Sequence, residues 1–295
     1  AWKRYERYWT QICDRFKDYS DHLIFEGANE ELGDRLNDAI YESGYCVPKD
    51  DNDTKAISGN LTEDERYEMA NKINQKFVDI VRSTGGNNAY RHLLIAGYDT
   101  NIDKTCDDKF KMPTDTAENG TTKLSVSVHY YTPWDFCGDG GSGIYTQKDK
   151  EATETYFTKM DKFYNAGYGI IMGEFSVCNP KQEGVAQWLN DTMTIAAKHH
   201  ILPVLWETNQ YMDKDNCKMR YNDIAVLYNT ITGSTGDTSS KINTNGTTTD
   251  GSIADYLETT NVNNLKAGFE WTGKWYKNGG GNLVGDDIYT TRSEE

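Results

Sequence analysis

Residues 168–175 read YGIIMGEF. A short continuous apolar run of this kind marks a strand buried on both of its faces. Yet it ends in a lone carboxylate, Glu174, set between Gly173 and Phe175. An unpaired charge inside such a run is costly, so the residue calls for a functional reason. Residues 22–31, HLIFEGANEE, repeat the arrangement: apolar positions, a small-residue corner, then Asn29, Glu30 and Glu31. Taken alone, those two glutamates also suit the first turn of a helix, where acids favour the positive end of the dipole.

Outward from these stretches the same rhythm recurs. Apolar runs at 91–98 (RHLLIAGY), 124–131 (LSVSVHYY) and 201–206 (ILPVLW) read as further strands. Helical patterns alternate with them. Tyr5, Trp9, Ile12, Phe16 and Tyr19 line one face over 3–19, and Thr62 with Glu65 forms a capping-box signal for a helix ending near Ser83, with Tyr67, Ala70, Ile73, Phe77 and Ile80 inward. Further helices are predicted over 147–166 (Tyr156, Met160, Phe163), 181–199 (Val185, Trp188, Leu189, Ile195) and 218–232 (Ile224, Leu227, Ile231). Strands alternating with helices predict an α/β fold with a parallel sheet covered on both faces. Strand starts at 22, 91, 124, 168 and 201 mostly recur at about the 31 residues that one unit of a (β/α)8 TIM barrel occupies. Five units are countable, so the expectation is an incomplete barrel holding its five C-terminal units.

Composition narrows the function. With 31 basic against 46 acidic residues the net charge is −15, which disfavours nucleic acid and anionic membranes and leaves a neutral glycan unpenalised. No run of about 18 apolar residues offers a membrane span, and AWKRYERYW lacks the apolar stretch of a signal peptide. Cysteines 13, 46, 106, 137, 178 and 217 show no metal-ligand spacing. They read as free thiols, with a disulfide between Cys137 and Cys178 as the other reading, since each follows a strand that carries a candidate site residue. Neither a metal nor an organic cofactor is expected.

Two carboxyl groups, one protonated and one ionised, are what cleavage of a glycosidic bond requires. Barrel enzymes place such groups at the C-terminal ends of strands, where Glu30 and Glu174 both fall. In this count the two are three units apart and so face each other across a bound sugar. Of the five histidines, His129 alone stands at a strand's carboxyl end among aromatics.

The ordered segments WTQICDRFKDYSDHLIFEGANE, RHLLIAGYDTN, SVHYYTPWDF, GIIMGEFSV and LPVLWETN together resemble the catalytic domain of glycoside hydrolase family 5, the retaining cellulase family, over residues 1 to about 232. The resemblance implies a retaining endo-β-1,4-glucanase with Glu30 as acid/base and Glu174 as nucleophile. Asn29 would bind the sugar 2-hydroxyl, His129 would support the acid, and Tyr131 would contact the nucleophile. Trp206 would floor the cleaved subsite, and Trp134 is a weaker candidate for stacking on an adjacent sugar. It implies a β-glucan polysaccharide of the plant cell wall as substrate, with xyloglucan, mixed-linkage glucan, xylan or mannan as alternatives, and a secreted location. A non-catalytic glycan-binding fragment, or a barrel completed by another chain, are the other readings.

Two departures stand out. The family's asparagine–glutamate–proline appears here as NEE, so Glu31 either raises the pKa of the acid from a buried position or points to solvent. The family's first three strands, with an arginine near the nucleophile, are not found. Beyond residue 232, a Ser/Thr/Gly-rich linker is expected over 233–252. Residues 253–295, with Trp271, Trp275 and Tyr276, read either as the start of a second module of carbohydrate-binding type or as core aromatics of a β-domain.

Overall fold

The computed structural model describes residues 2–36, 61–117, 120–207, 210–240, 275–277 and 282–285. The chain divides into two compact units, residues 1–208 and 209–295. In the first, five strands form one parallel sheet in sequential order: β1 (Phe25–Glu26), β2 (Leu93–Asn101), β3 (Leu124–Tyr130), β4 (Gly169–Phe175) and β5 (Ile201–Leu205). The predicted strand at 22–28 shortens to two paired residues, Phe25 with Leu93 and Glu26 with Leu94.

The predicted helices are present as α1 (Trp2–Phe16), α2 (Glu63–Ser83), α5 (Gln147–Asn165) and α6 (Val185–Lys198), and two short ones the periodicity did not signal, α3 (Ile102–Thr105) and α4 (Trp134–Cys137), fall between α2 and α5. The Thr62–Glu65 capping box starts α2 as expected, and a second, Thr146 with Asp149, starts α5. On α2, Asn74 rather than Ile73 is the fully buried residue. Its Nδ2 donates to Ala96 O at 2.9 Å, where the ladder between β2 and β3 breaks. On α5 the buried residue is Phe157 rather than its neighbour Tyr156.

Among the described residues, helices cover one face of the sheet rather than the expected two. Phe25, Leu93, Ile95, Val126, Val128, Ile170, Met172 and Ile201 are buried on one face, against the helices. The residues alternating with them include Ser125, Ser127 and His129 on β3 and Leu202 and Val204 on β5, the last two 59% and 47% exposed. A sequential strand order with crossovers of one hand lays every helix on the same side, which leaves the other face to the site.

Arg91 knits α1 to this sheet. It is fully buried, and all five of its N–H donors find acceptors: Asn88 Oδ1 and the carbonyls of Phe16, Tyr19, Ser20 and Leu23. Trp9 of α1 packs edge-on to Phe77 of α2, ring centroids 4.6 Å apart.

In the second unit β6 (Met212–Asp213) pairs antiparallel with β7 (Lys218–Met219), and α7 spans Asn222–Thr232. Residues 233–240 lie along α7. Asn222 Nδ2 donates to Thr238 O at 2.8 Å and Asn229 Nδ2 to Gly236 O at 2.7 Å. Two short strands, β8 (Trp275–Lys277) and β9 (Asn282–Gly285), form an antiparallel ribbon. Trp271 and the rest of the expected linker and tail lie outside the described residues.

Candidate active site

Irregularities in β2 and β4 build the site. Along β4 the side chains alternate, with Ile170 and Met172 buried toward the helices. Strict alternation would send Glu174 the same way. Instead the register with β3 shifts: Val128 pairs with Met172, but the next residue, His129, pairs with Glu174. One extra residue in β4, a β-bulge, re-aims the side chain that follows. Glu174 thereby joins His129 on the open face, and alternation resumes with Phe175 buried.

Glu30 arrives from the turn beyond β1. Its Oε1 lies 2.9 Å from His129 Nδ1, and the same nitrogen is 3.5 Å from Glu174 Oε2. Facing atoms of Glu30, His129 and Glu174 all lie within 4.8 Å of one another. The two carboxylates are thus near enough for both to reach one anomeric centre. Tyr131, two residues after His129 and so on the same face, donates its hydroxyl to Glu174 Oε2 at 2.8 Å. Burial, then the bond to Glu174, pushes the Tyr131 phenol well above its ordinary value, so it stays a donor across the neutral and alkaline range. The two carboxylates remain open to solvent, with side chains 31% and 22% exposed, while His129 is 6% exposed between them.

Among the described residues this trio is the set of His, Cys, Asp and Glu side chains near enough to share one cation. Its donor atoms are already engaged with each other and with Tyr131. What the arrangement offers chemically is a pair of solvent-open carboxyl groups on either side of His129, each held by a neighbouring hydrogen-bond partner.

The other expected residues fall around this centre. Asn29 is exposed beside Glu30, and its backbone N–H donates to Glu31 Oε2 at 3.2 Å. Glu31 therefore folds back over an exposed turn and is not buried against the acid. Trp134 opens α4 with 66% exposure, its ring 6.5 Å from that of Tyr131. Trp206 follows β5, half-buried, and its amide donates to Phe175 O at 3.1 Å. Cys137 and Cys178 do not form a disulfide. Both are free thiols, although their loops are joined by a 2.8 Å bond from Cys178 N to Cys137 O. Cys46 lies outside the described residues.

Two neighbours were missed by sequence reasoning. Arg35 NH1 lies 3.4 Å from Glu30 Oε2; its position five residues after Glu30 carries no spacing signal for a turn of unknown geometry. Glu26, inside the first strand, accepts from Ser127 Oγ at 2.6 Å on the same open face. An acid within an apolar run could have been found by the reasoning applied to Glu174.

A family model described as Cellulase (glycosyl hydrolase family 5) matches residues 1–212. Endoglucanase A of Paenibacillus barcinonensis is 32% identical over 231 residues, covering 69% of this chain and 52% of that protein. A xyloglucan-specific endo-beta-1,4-glucanase of Bacteroides ovatus is 29% identical, covering 72% of this chain and 42% of that protein. The chain thus spans about half the length of the curated relatives it matches. Among solved structures, a mutant glycoside hydrolase 5 lichenase from Caldicellulosiruptor sp. F32, complexed with cellotetraose, superposes with a TM-score of 0.59. It is 26% identical, with 77% of this chain and 62% of that chain covered.

Proposed function

Because the chain belongs to glycosyl hydrolase family 5, the cellulase family, we propose that it supplies the catalytic carboxyl pair of a retaining endo-β-1,4-glucanase. In this reading Glu174 attacks the anomeric carbon while Glu30 protonates the departing glycosidic oxygen. Glu30 then takes a proton from the water that releases the glycosyl-enzyme ester. The single observation that carries it is the meeting of Glu30 and Glu174 on either side of His129, with facing atoms within 4.8 Å. Tyr131 donates to the attacking carboxylate and holds it in one orientation. His129 Nδ1 shares a hydrogen bond with Glu30 Oε1 and so fixes that carboxyl, whichever of the two carries the proton. Asn29, Trp206 and Trp134 are the proposed sugar contacts.

The proposed substrate is a soluble or surface β-glucan chain of the plant cell wall. The names of the relatives, endoglucanase, lichenase and xyloglucan-specific endoglucanase, support a β-1,4-linked glucan backbone and keep xyloglucan and mixed-linkage glucan as the second reading. A polymer of that size cannot enter a cell, which supports a secreted location. We further propose that the five units are part of an eight-unit barrel. The supporting observation is that the edge strand β5 leaves Leu202 and Val204 exposed, branched apolar side chains of the kind that fill a barrel interior.

The test is reducing-sugar release from carboxymethylcellulose, together with covalent labelling by 2,4-dinitrophenyl 2-deoxy-2-fluoro-cellobioside. Glu174→Gln is expected to abolish both. Glu30→Gln is expected to lower turnover of the polymer by roughly 10²–10⁴-fold. Activity or labelling that survives Glu174→Gln removes the nucleophile assignment.

A further inference from the structure

We propose that Lys104, clamped between Asp34 and Asp99, is a positioning residue that sets where the carboxyl of Glu30 stands. The inference rests on the acid/base reading of Glu30 given above.

The clamp begins as an excursion of β2. Ala96 pairs with Ser127 on β3, and the next β2 residue in register is Asn101, opposite His129. Within the skipped residues Asp99 and Thr100 both have positive φ, 51° and 49°. Two consecutive non-glycine residues in the left-handed region are a costly conformation that persists only where surrounding contacts enforce it.

Those contacts all run to the turn that carries Glu30. The Asp99 amide donates to Leu32 O at 2.7 Å, and the Asp34 amide donates to Asp99 Oδ1 at 2.8 Å. Lys104 Nζ lies 2.7 Å from both Asp34 Oδ2 and Asp99 Oδ2. Asp34 Oδ1 also accepts from Tyr98 OH at 2.8 Å and Arg66 Nε at 3.1 Å. Gly33 sits in the middle, where any side chain would overlap the carboxylate and amide of Asp99. The turn after Glu30 is therefore tied at Leu32 and Asp34 to one strand end. That same strand end holds His129 in register through Asn101, so both the acid and its partner take their positions from the close of β2.

Solvent-exposed ion pairs contribute little as a rule, and Asp34 and Lys104 are half exposed. This group differs in that one ammonium closes two carboxylates, one of which also holds the backbone of the turn. A small displacement of a catalytic group, about 1 Å, costs on the order of 10²-fold in rate.

The experiment compares Lys104→Met and Asp99→Asn with the native chain on cello-oligosaccharide and on 2,4-dinitrophenyl cellobioside. The second substrate's leaving group departs without a proton, so formation of the glycosyl-enzyme does not need a placed acid. Asp99→Asn keeps the acceptor for the Asp34 amide and tolerates the left-handed backbone, so it retains the fold while removing the ion pair. Both variants are expected to lose on the order of 10²-fold in kcat/KM on the oligosaccharide and to stay within about twofold on the dinitrophenyl substrate, with Lys104→Arg restoring most of the loss. Equal losses on both substrates, or none on either, overturn the proposal. Amide hydrogen exchange supplies a readout that needs no turnover. Faster exchange of residues 29–34 in Lys104→Met, with β3 and β4 unchanged, supports the clamp, and unaltered exchange overturns it. A loss of no more than about twofold on the oligosaccharide for Glu30→Gln overturns the acid/base reading, while the exchange result still decides whether Lys104 holds the turn.

Discussion

Tyr131 and Arg91 show how much one side chain can carry here. The Tyr131 hydroxyl donates to Glu174, and a hydrogen bond to a charged group contributes about 1.5–3 kcal/mol. Tyr131→Phe is therefore expected to lower kcat/KM by roughly 10- to 100-fold while leaving the far-ultraviolet circular dichroism and the melting midpoint close to native. A matching loss of stability would instead give Tyr131 a packing role. Among the described residues Arg91 makes no ion pair with a carboxylate. It is held by four carbonyls, one side-chain amide oxygen and the face of Phe25, 4.7 Å from its ring centroid. Arg91→Leu strands those acceptors in the interior and is expected to cost on the order of 4 kcal/mol in denaturant unfolding. The sequence gives no hint of this role, since an arginine that opens an apolar strand reads as a solvated end.

Elements matter through the places where they break their own pattern. The extra residue in β4 turns Glu174 away from the side of Met172, and the left-handed residues at the close of β2 reach the turn that follows β1. Helix α2 contributes differently. Arg82 in its last turn meets Asp115 at 2.8 Å in a bidentate pair, the two side chains 6% and 1% exposed. Burial by itself raises the Asp115 carboxyl, but the bonds from Arg82 and from backbone amides overcome this and hold it below the usual value. A carboxyl lowered in the folded state adds stability above its unfolded value, about 3.9, and that stability is lost as pH falls through the folded value. Asp115→Asn leaves Arg82 buried without its counter-charge, so it should cost about 3–5 kcal/mol at pH 7. The gap to the native chain should narrow in unfolding curves taken near pH 3, and a gap of equal size at both pH values would show that the pair's charge is not what is being lost.

At the scale of the whole molecule, the first unit carries exposed apolar side chains at one edge of its sheet. Leu202 and Val204, alternate residues of its edge strand β5, are 59% and 47% exposed, and exposed apolar surface at a sheet edge promotes association. Replacing Leu202 and Val204 together by serine is expected to reduce concentration-dependent association in sedimentation velocity and to leave the fold intact. Unchanged association would locate the sticky surface elsewhere. The order of strands and helices was legible in the sequence because period-2 and period-3.6 patterns, caps and apolar runs are local quantities. Glu174 and His129 stood out for the same reason, as polar residues that close apolar strands, whereas Glu30 suited a helix's first turn equally well and Tyr131 came only from the family resemblance. The sequence by itself therefore determined which elements form and which side chains stand at their ends. What only the tertiary structure decided is how those ends meet: the residue inserted in β4, Asp99 and Lys104 gripping the turn after Glu30, Arg35 beside the acid, and Arg91 drawing four carbonyls inward. Each depends on a strand's register or on a turn bringing together residues distant in the chain, and register is fixed by packing between elements rather than by the pattern within any one of them.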